Sequence, residues 1–237
     1  MTVLSGPRAF EVEDVDLFDI AGALRLDRVQ LVALLEKAHE PERRGLPDFP
    51  LSTLPCGATP VVELRRPVHL LGDLLTMVEN ARRPLNRISF CYVGDGEADI
   101  ARSLLLAGTL LGMDVRIAAP SAMWPSEELI TEAQDLSTER GARLLITPDA
   151  GHAVFGAMFV VVGAWAHGTV LAGGGNAPPA YLVTEDFLAT SGITSTRTLF
   201  DGPALDFTPN VPRTLQPAQS ANRRRIMATV LANWTGH

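Results

Sequence analysis

The stretch ISFCYVGDGEADIARSLLLAGTLLGMDVR, residues 88–116, decides the fold. Ile88 to Val93 is a short apolar run rich in β-formers, as a buried strand requires. Gly94-Asp95-Gly96 is a turn. Glu97 to Gly112 carries apolar residues at helical spacing, and Val115 opens a second strand. Strand, glycine turn, helix and strand make a βαβ unit, whose two strands run parallel. The turn leaves the carboxyl end of a strand and feeds a helix, which is where open α/β sheets bind ligands.

Working outward, the pattern repeats. Val115 to Ala119 reads as a strand. The helix after it runs from Ser126, a suitable N-cap, through Glu127 and Glu128 in its first turn to Arg140, with Gly141 closing it. Arg143 to Ile146 reads as a strand, Ala150 to Phe155 as a short helix and Met158 to Val162 as another strand. Strands separated by helical segments imply a parallel sheet. Beyond it, Gly168 to Pro179 reads as a loop, Thr184 to Ser191 as a helix, the segment to Pro217 as irregular, and Ala218 to Trp234 as the last helix. Before it, Asp27 to His39 is amphipathic, Glu40 to Gly57 reads as a linker, Pro60 to Glu63 as a short strand, and Pro67 to Ala81 as a helix with proline in its first turn. This divides the 237 residues into a thin region, 1–84, and a fuller α/β domain, 85–237.

Composition excludes several classes. With 46% hydrophobic residues the chain can bury a sizeable core, and a net charge of −7 argues against nucleic acid as the main partner. No stretch reaches the roughly 20 apolar residues of a membrane span. The first 20 residues are acidic and lack the apolar run of a signal peptide, so a cytoplasmic protein is expected. Cys56 and Cys91 stand in no metal-ligand spacing, and no histidine pattern suggests a metal. Gly94-x-Gly96-x-x-Asp99 is a partial dinucleotide fingerprint without its third glycine, and no acid ends the next strand. No cofactor is expected.

Five separated motifs resemble the ornithine and aspartate carbamoyltransferases, in that family's order. Tyr92-Val93-Gly94-Asp95-Gly96 with Ser103-Leu104-Leu105-Leu106-Ala107-Gly108 is similar to the opening of the family's second domain. Arg66-Pro67-Val68-His69-Leu70-Leu71-Gly72-Asp73-Leu74-Leu75-Thr76 is similar to its interdomain helix. Thr184-Glu185-Asp186-Phe187-Leu188 resembles its "VTEE" helix, and Gln219-Ser220-Ala221-Asn222-Arg223 the "QAENR" that opens its closing helix. The resemblance implies a first domain that binds carbamoyl phosphate, a second that selects the amino acid, and an active site between them.

It also implies departures. No "STRTR" phosphate loop stands between His39 and Thr59, so the first domain is expected to be shortened. The histidine and glutamine that touch the carbamoyl group become Arg66 and His69. The asparagine that meets ornithine becomes Asp99. The loop whose aspartate binds the ornithine amine aligns with Gly163-Ala164-Trp165-Ala166-His167-Gly168. The "HCLP" loop aligns at best with Thr208 to Pro212. Arg223 is kept, at the position whose arginine reaches the carbamoyl carbonyl. A charged hydrogen bond is worth about 1.5–3 kcal/mol, so losing several of them weakens carbamoyl phosphate binding by powers of ten.

The expectation is therefore a divergent carbamoyltransferase-like enzyme acting on a small amino-acid-like or anionic metabolite rather than on ornithine. His69, Arg66 and Arg223 are the candidate catalytic residues. Asp95, Asp99, Arg102, Trp165 and His167 are the candidate substrate-binding residues. Arg66 and His69 stand three apart on one helix face, and histidine titrates near neutral pH. Arg224 and Arg225 are expected to face solvent. Thr194-Ser195-Thr196-Arg197-Thr198 imitates the absent phosphate loop but reads as a surface loop of small polar residues. The other reading is a non-catalytic partner subunit. Either way, exposed sheet edges imply a homo-oligomer or a complex with a related subunit.

Overall fold

The computed structural model describes residues 32, 35, 59–163, 165, 178–200 and 211–234. Five parallel strands form one sheet in the order β3-β2-β1-β4-β5: β1 Ser89–Val93, β2 Asp114–Ala118, β3 Arg143–Thr147, β4 Phe159–Val162 and β5 Arg197–Phe200. The helices are α1 Thr59–Ala81, α2 Asp99–Leu110, α3 Glu127–Arg140, α4 Ala150–Val154, α5 Glu185–Ala189 and α6 Gln216–Trp234.

Alternation along the strands sorts the core into two faces. Phe90, Tyr92, Val115, Ile117, Phe159, Val161 and Leu199 pack with α1, α2, α3 and α6. Cys91, Val93, Ala118 and Val160 pack against α4, Tyr181 and Leu188. Both faces of β1 are covered, which is why its residues form a continuous apolar run rather than alternating with polar ones. The chain steps outward from β1 to β2 to β3 and then returns to the far side of β1 as β4. The strand order reverses between β1 and β4, and the carboxyl ends of the strands at such a switch point are where open α/β sheets bind ligands.

Local chemistry accounts for most of the boundaries. Ser126 caps α3, its hydroxyl accepting from the Leu129 amide, and the helix stops at Gly141. Thr184 caps α5 by accepting from Phe187. Asp149 caps α4 by accepting from His152.

Five expectations are corrected. Pro60 to Glu63 belongs to α1, not to a strand. Its β-branched Val61 and Val62 suggested extension, but Pro60 falls in the first helical turn, where its missing N–H costs nothing. Pro67 then lies inside α1, not at its start. The segment before Pro217 is not wholly irregular, because Arg197 to Phe200 forms edge strand β5 beside β4. The "TSTRT" run is therefore only in part a surface loop: Thr194 and Ser195 form an exposed turn, and Arg197 and Thr198 enter β5. Thr196 is buried and donates to the Ala157 carbonyl at 2.9 Å, and Thr198 donates to Pro212 at 2.6 Å. Arg225 does not face solvent but pairs with Glu79 at 2.6 Å. Of the amphipathic run Asp27 to His39 the structure describes Val32 and Leu35, both helical, with Leu35 in the core. Cys56 and the stretch Glu40 to Gly57 lie outside the described residues.

Candidate active site at the carboxyl edge of the sheet

Gly94 and Gly163 follow β1 and β4 directly and face each other across the switch point. The Gly163 amide donates to the Val93 carbonyl at 2.9 Å. A Cβ built on Gly163 would lie 2.0 Å from the Tyr92 hydroxyl and 2.2 Å from its Cζ. The Tyr92 phenol thus occupies the space that a side chain at 163 would take, and glycine is required there by close approach. Tyr92 is fully buried, so its phenol ring packs beneath the two glycines.

Several of the expected residues follow β1 and β4 in the chain. Asp95 lies in the turn after β1, and its carboxylate accepts from the Glu97 amide at 2.9 Å. That bond closes the turn; the N-cap of α2 is Ala98, and the helix starts at Asp99. Asp99 is exposed in the first turn of α2, and Arg102 is exposed one turn further on. Trp165, just beyond β4, meets Tyr181 with ring centroids 5.2 Å apart and planes tilted at 58°. The Tyr181 hydroxyl donates to the Pro148 carbonyl at 2.8 Å, which anchors this aromatic wall. His167 lies outside the described residues.

The second half of the site is a seam between α1 and α6. Asp73 on α1 is fully buried, and Arg223 on α6 clasps it: Nε donates to Oδ1 at 3.2 Å, and Nη2 donates to Oδ1 at 3.0 Å and to Oδ2 at 3.3 Å. Gln219 donates to the same carboxylate at 2.8 Å. Both side chains also grip the end of β5. The Phe200 carbonyl accepts from Arg223 at 3.1 Å and from Gln219 at 3.1 Å, and the Phe200 amide donates to Gln219 at 2.9 Å. Phe200 is paired with Val162, the last residue of β4, so the guanidinium sits at the same sheet edge as the two glycines. One turn on, Asn222 donates to Thr76 at 3.0 Å and to Glu79 at 2.9 Å.

Burial pushes the Asp73 carboxyl above the usual carboxylate range; the Arg223 charge and the bonds from Gln219 and Arg223 pull it back only in part. Every bond at Asp73 is donated to it, which is the pattern of the ionised acid. His69 is half-buried on α1, and Arg66 lies in the same helix with its side chain outside the described residues. Among the described residues no cluster of His, Cys, Asp and Glu could hold a metal, and no helix is long and apolar enough to cross a membrane.

This architecture has known counterparts. The family model for the aspartate/ornithine carbamoyltransferase Asp/Orn-binding domain matches residues 86–193. Residues 86–193 thus resemble the amino-acid-binding domain of the aspartate/ornithine carbamoyltransferases. An ornithine carbamoyltransferase of Neisseria animalis is 48% identical over 99 residues, covering 42% of this chain and 43% of that protein. One from Actinobacillus pleuropneumoniae is 46% identical over 99 residues, covering 42% of this chain and 30% of that protein. The solved ornithine carbamoyltransferase of Pyrococcus furiosus superposes with a TM-score of 0.60 at 26% identity, over 70% of this chain and 55% of that one. That of Gloeobacter violaceus gives 0.60 at 28%, over 71% and 58%. The matched region thus spans less than half the length of these curated relatives.

The carbamoyltransferase motifs fall where the sequence placed them, and the structure adds their partners. Sequence reasoning missed Asp73, Gln219 and Asn222 as a bonded set, although all three stand inside the quoted motifs. An acid followed by three apolar-flanked helical residues carries no mark of its partner 150 positions away. It also missed the packing of Tyr92 against Gly163. The Thr208 to Pro212 assignment lies mostly outside the described residues. Pro212 itself bonds to Thr198 in β5.

Proposed function

We propose that the chain serves a carbamoyl-transfer reaction, binding an amino-acid-like acceptor in the crevice between Gly94 and Gly163. The acceptor is not ornithine. The observation that carries this reading is the Tyr92 phenol in the space of a side chain at 163. By resemblance, that position holds the carboxylate that binds the ornithine amine. The buried phenol leaves no room for a carboxylate-bearing side chain at 163, so a cationic distal amine loses its counter-charge there. Asp99 in place of an amide further alters the acceptor's surroundings. A smaller or neutral distal group fits here, with Trp165 and Tyr181 as an apolar wall.

In the reaction the acceptor's amine nitrogen attacks the carbamoyl carbon. The C–N bond forms, the C–O bond to phosphate breaks, phosphate leaves with the electron pair, and the amine gives up a proton. Arg223 holds the carbamoyl carbonyl, where it offsets developing negative charge. His69 accepts the proton, with Arg66 beside it on α1. Asp95 and Arg102 bound the acceptor's side of the crevice, and His167 follows the aromatic wall.

The test is ureido-product formation from carbamoyl phosphate with a panel of amino acids and amines, alongside thermal shifts with each ligand. Product with a neutral or short acceptor and none with ornithine is expected. Citrulline formation as the preferred activity removes the divergent-acceptor reading. Complete inertness towards every ligand favours a non-catalytic subunit. Light-scattering mass measurement then shows whether the chain assembles with itself or requires a related subunit.

A further inference from the structure

The Arg223 guanidinium divides its donors unequally. Its Nε–Nη2 edge is spent on Asp73 and Phe200, whereas no hydrogen bond to Nη1 is found among the described residues. Arginine's fork is planar and rigid, so fixing one edge fixes the direction of the remaining N–H groups. A long side chain left alone samples many rotamers, and ordering it on binding costs about 0.5–1.5 kcal/mol.

The seam holds this arrangement from three sides. Asp73 has no exposed surface, and the Arg223 side chain is 14% exposed. Gln219 bridges Asp73 to both backbone groups of Phe200. A Cβ on Gly72 would meet the Arg223 Cγ at 2.6 Å and its Cα at 3.1 Å. The helices therefore touch backbone to side chain where the arginine emerges, and the stem has no room to swing toward α1.

We infer that Asp73 is a positioning residue: it clamps one edge of Arg223 so that the Nη1 group is presented, pre-ordered, at the carboxyl edge of the sheet to the carbamoyl donor. The inference rests on the proposed reaction for the identity of that donor, but the clamp itself can be tested without it. A carboxylate on an arginine has two opposed effects. It neutralises charge that an anionic ligand would use, and it removes the disorder that the ligand would otherwise have to suppress. The clamp requires that ordering outweighs neutralisation.

The experiment compares Asp73→Asn with Glu79→Gln in the full chain. Both loosen the α1–α6 seam, but only the first touches Arg223. The Arg223 Nε–Hε resonance is assigned by its loss in Arg223→Lys. In the unaltered chain this proton is expected to exchange slowly. In Asp73→Asn it moves and exchanges at the solvent rate, whereas Glu79→Gln leaves it in place. Carbamoyl phosphate is expected to bind at least tenfold more weakly to Asp73→Asn and equally to Glu79→Gln, even if both variants lose comparable melting temperature. An unaltered Hε in Asp73→Asn, or binding as tight as or tighter than that of the parent, overturns the inference. So does an Hε that exchanges at the solvent rate in the unaltered chain, a measurement that needs no variant to fold. If carbamoyl phosphate binds to no form while the Hε responds as expected, the proposed reaction falls and the clamp stands.

Discussion

At Gly163 one missing side chain shapes the packing. Introducing alanine there forces the Tyr92 ring out of place, because the new Cβ would overlap both its hydroxyl and its Cζ. Overpacking of this kind costs about 1–3 kcal/mol. Gly163→Ala is expected to lower the urea midpoint accordingly, and much less in a Tyr92→Leu background, where the collision is removed. Equal costs in both backgrounds would show that the two residues do not compete for the same space. A second residue-scale outcome concerns Cys91. Burial in the middle of β1 pushes its thiol up to about 12, with the Arg116 charge pulling down only weakly. The thiolate is the reactive species, so at pH 8 the folded chain holds almost none of it there. In a Cys56→Ser background, an aromatic disulfide reagent is expected to find no thiol until urea is added. Prompt labelling of the folded chain contradicts that burial. The sequence already placed Cys91 in an apolar strand, and Asp95 and Trp165 beside the switch point. It could not show that Tyr92 fills the place of residue 163, because a strand residue's rotamer is settled by its neighbours across the sheet.

Helices α3, α4 and α5 begin at side-chain caps, and the one at Ser126 was readable from local chemistry. Ser126→Ala removes the acceptor for the Leu129 amide and is expected to cost about 1 kcal/mol in a chemical melt. No change in the midpoint would mean that water replaces this cap at no loss. The α1–α6 seam makes a different prediction. The folded carboxyl of Asp73 lies above the usual carboxylate range because of burial, so the folded state retains a proton that the unfolded chain gives up. The sign follows from linkage: this contribution is present below the unfolded value of about 3.9 and is lost as pH rises through the higher folded value. The stability of the parent relative to Asp73→Asn is therefore expected to decline as pH rises across that interval, measured by urea midpoints. A relative gain with rising pH would mean that Arg223 and Gln219 more than offset the burial. Strand β5 was the element that could not be read. Thr196 and Thr198 are buried but polar, and their hydroxyls are satisfied by Ala157 and Pro212. Within Arg197–Phe200 the buried residues are the polar Thr198 and its neighbour Leu199, so the strand lacks the apolar alternation that marks strands in a sequence.

For the molecule as a whole, α1 belongs energetically to the sheet it covers. Leu70, Leu71, Leu74, Leu75 and Met77 are buried in the same core as Phe90, Leu104 and Ile226. Burying each such side chain is worth about 1.5–3 kcal/mol. Five of them rival the net stability of a typical domain, about 5–15 kcal/mol. A fragment of residues 85–237 is therefore expected to lack a cooperative thermal transition in circular dichroism, whereas one beginning before Thr59 keeps it. A sharp melt from the shorter fragment would place an independent folding boundary at residue 84. The parallel α/β sheet, the order of its elements from β1 to β4 and the glycine turn at Gly94 follow from the sequence by itself. They depend on periodicity, caps and turns within windows of a few residues. The clasp of Asp73 by Arg223, the strand made of "RTLF" and the packing of the Tyr92 phenol against Gly163 were decided only by the tertiary structure. Each is a meeting of groups far apart in the chain, up to 150 positions for the ion pair, and no local pattern encodes which partner will be there when the sheet closes.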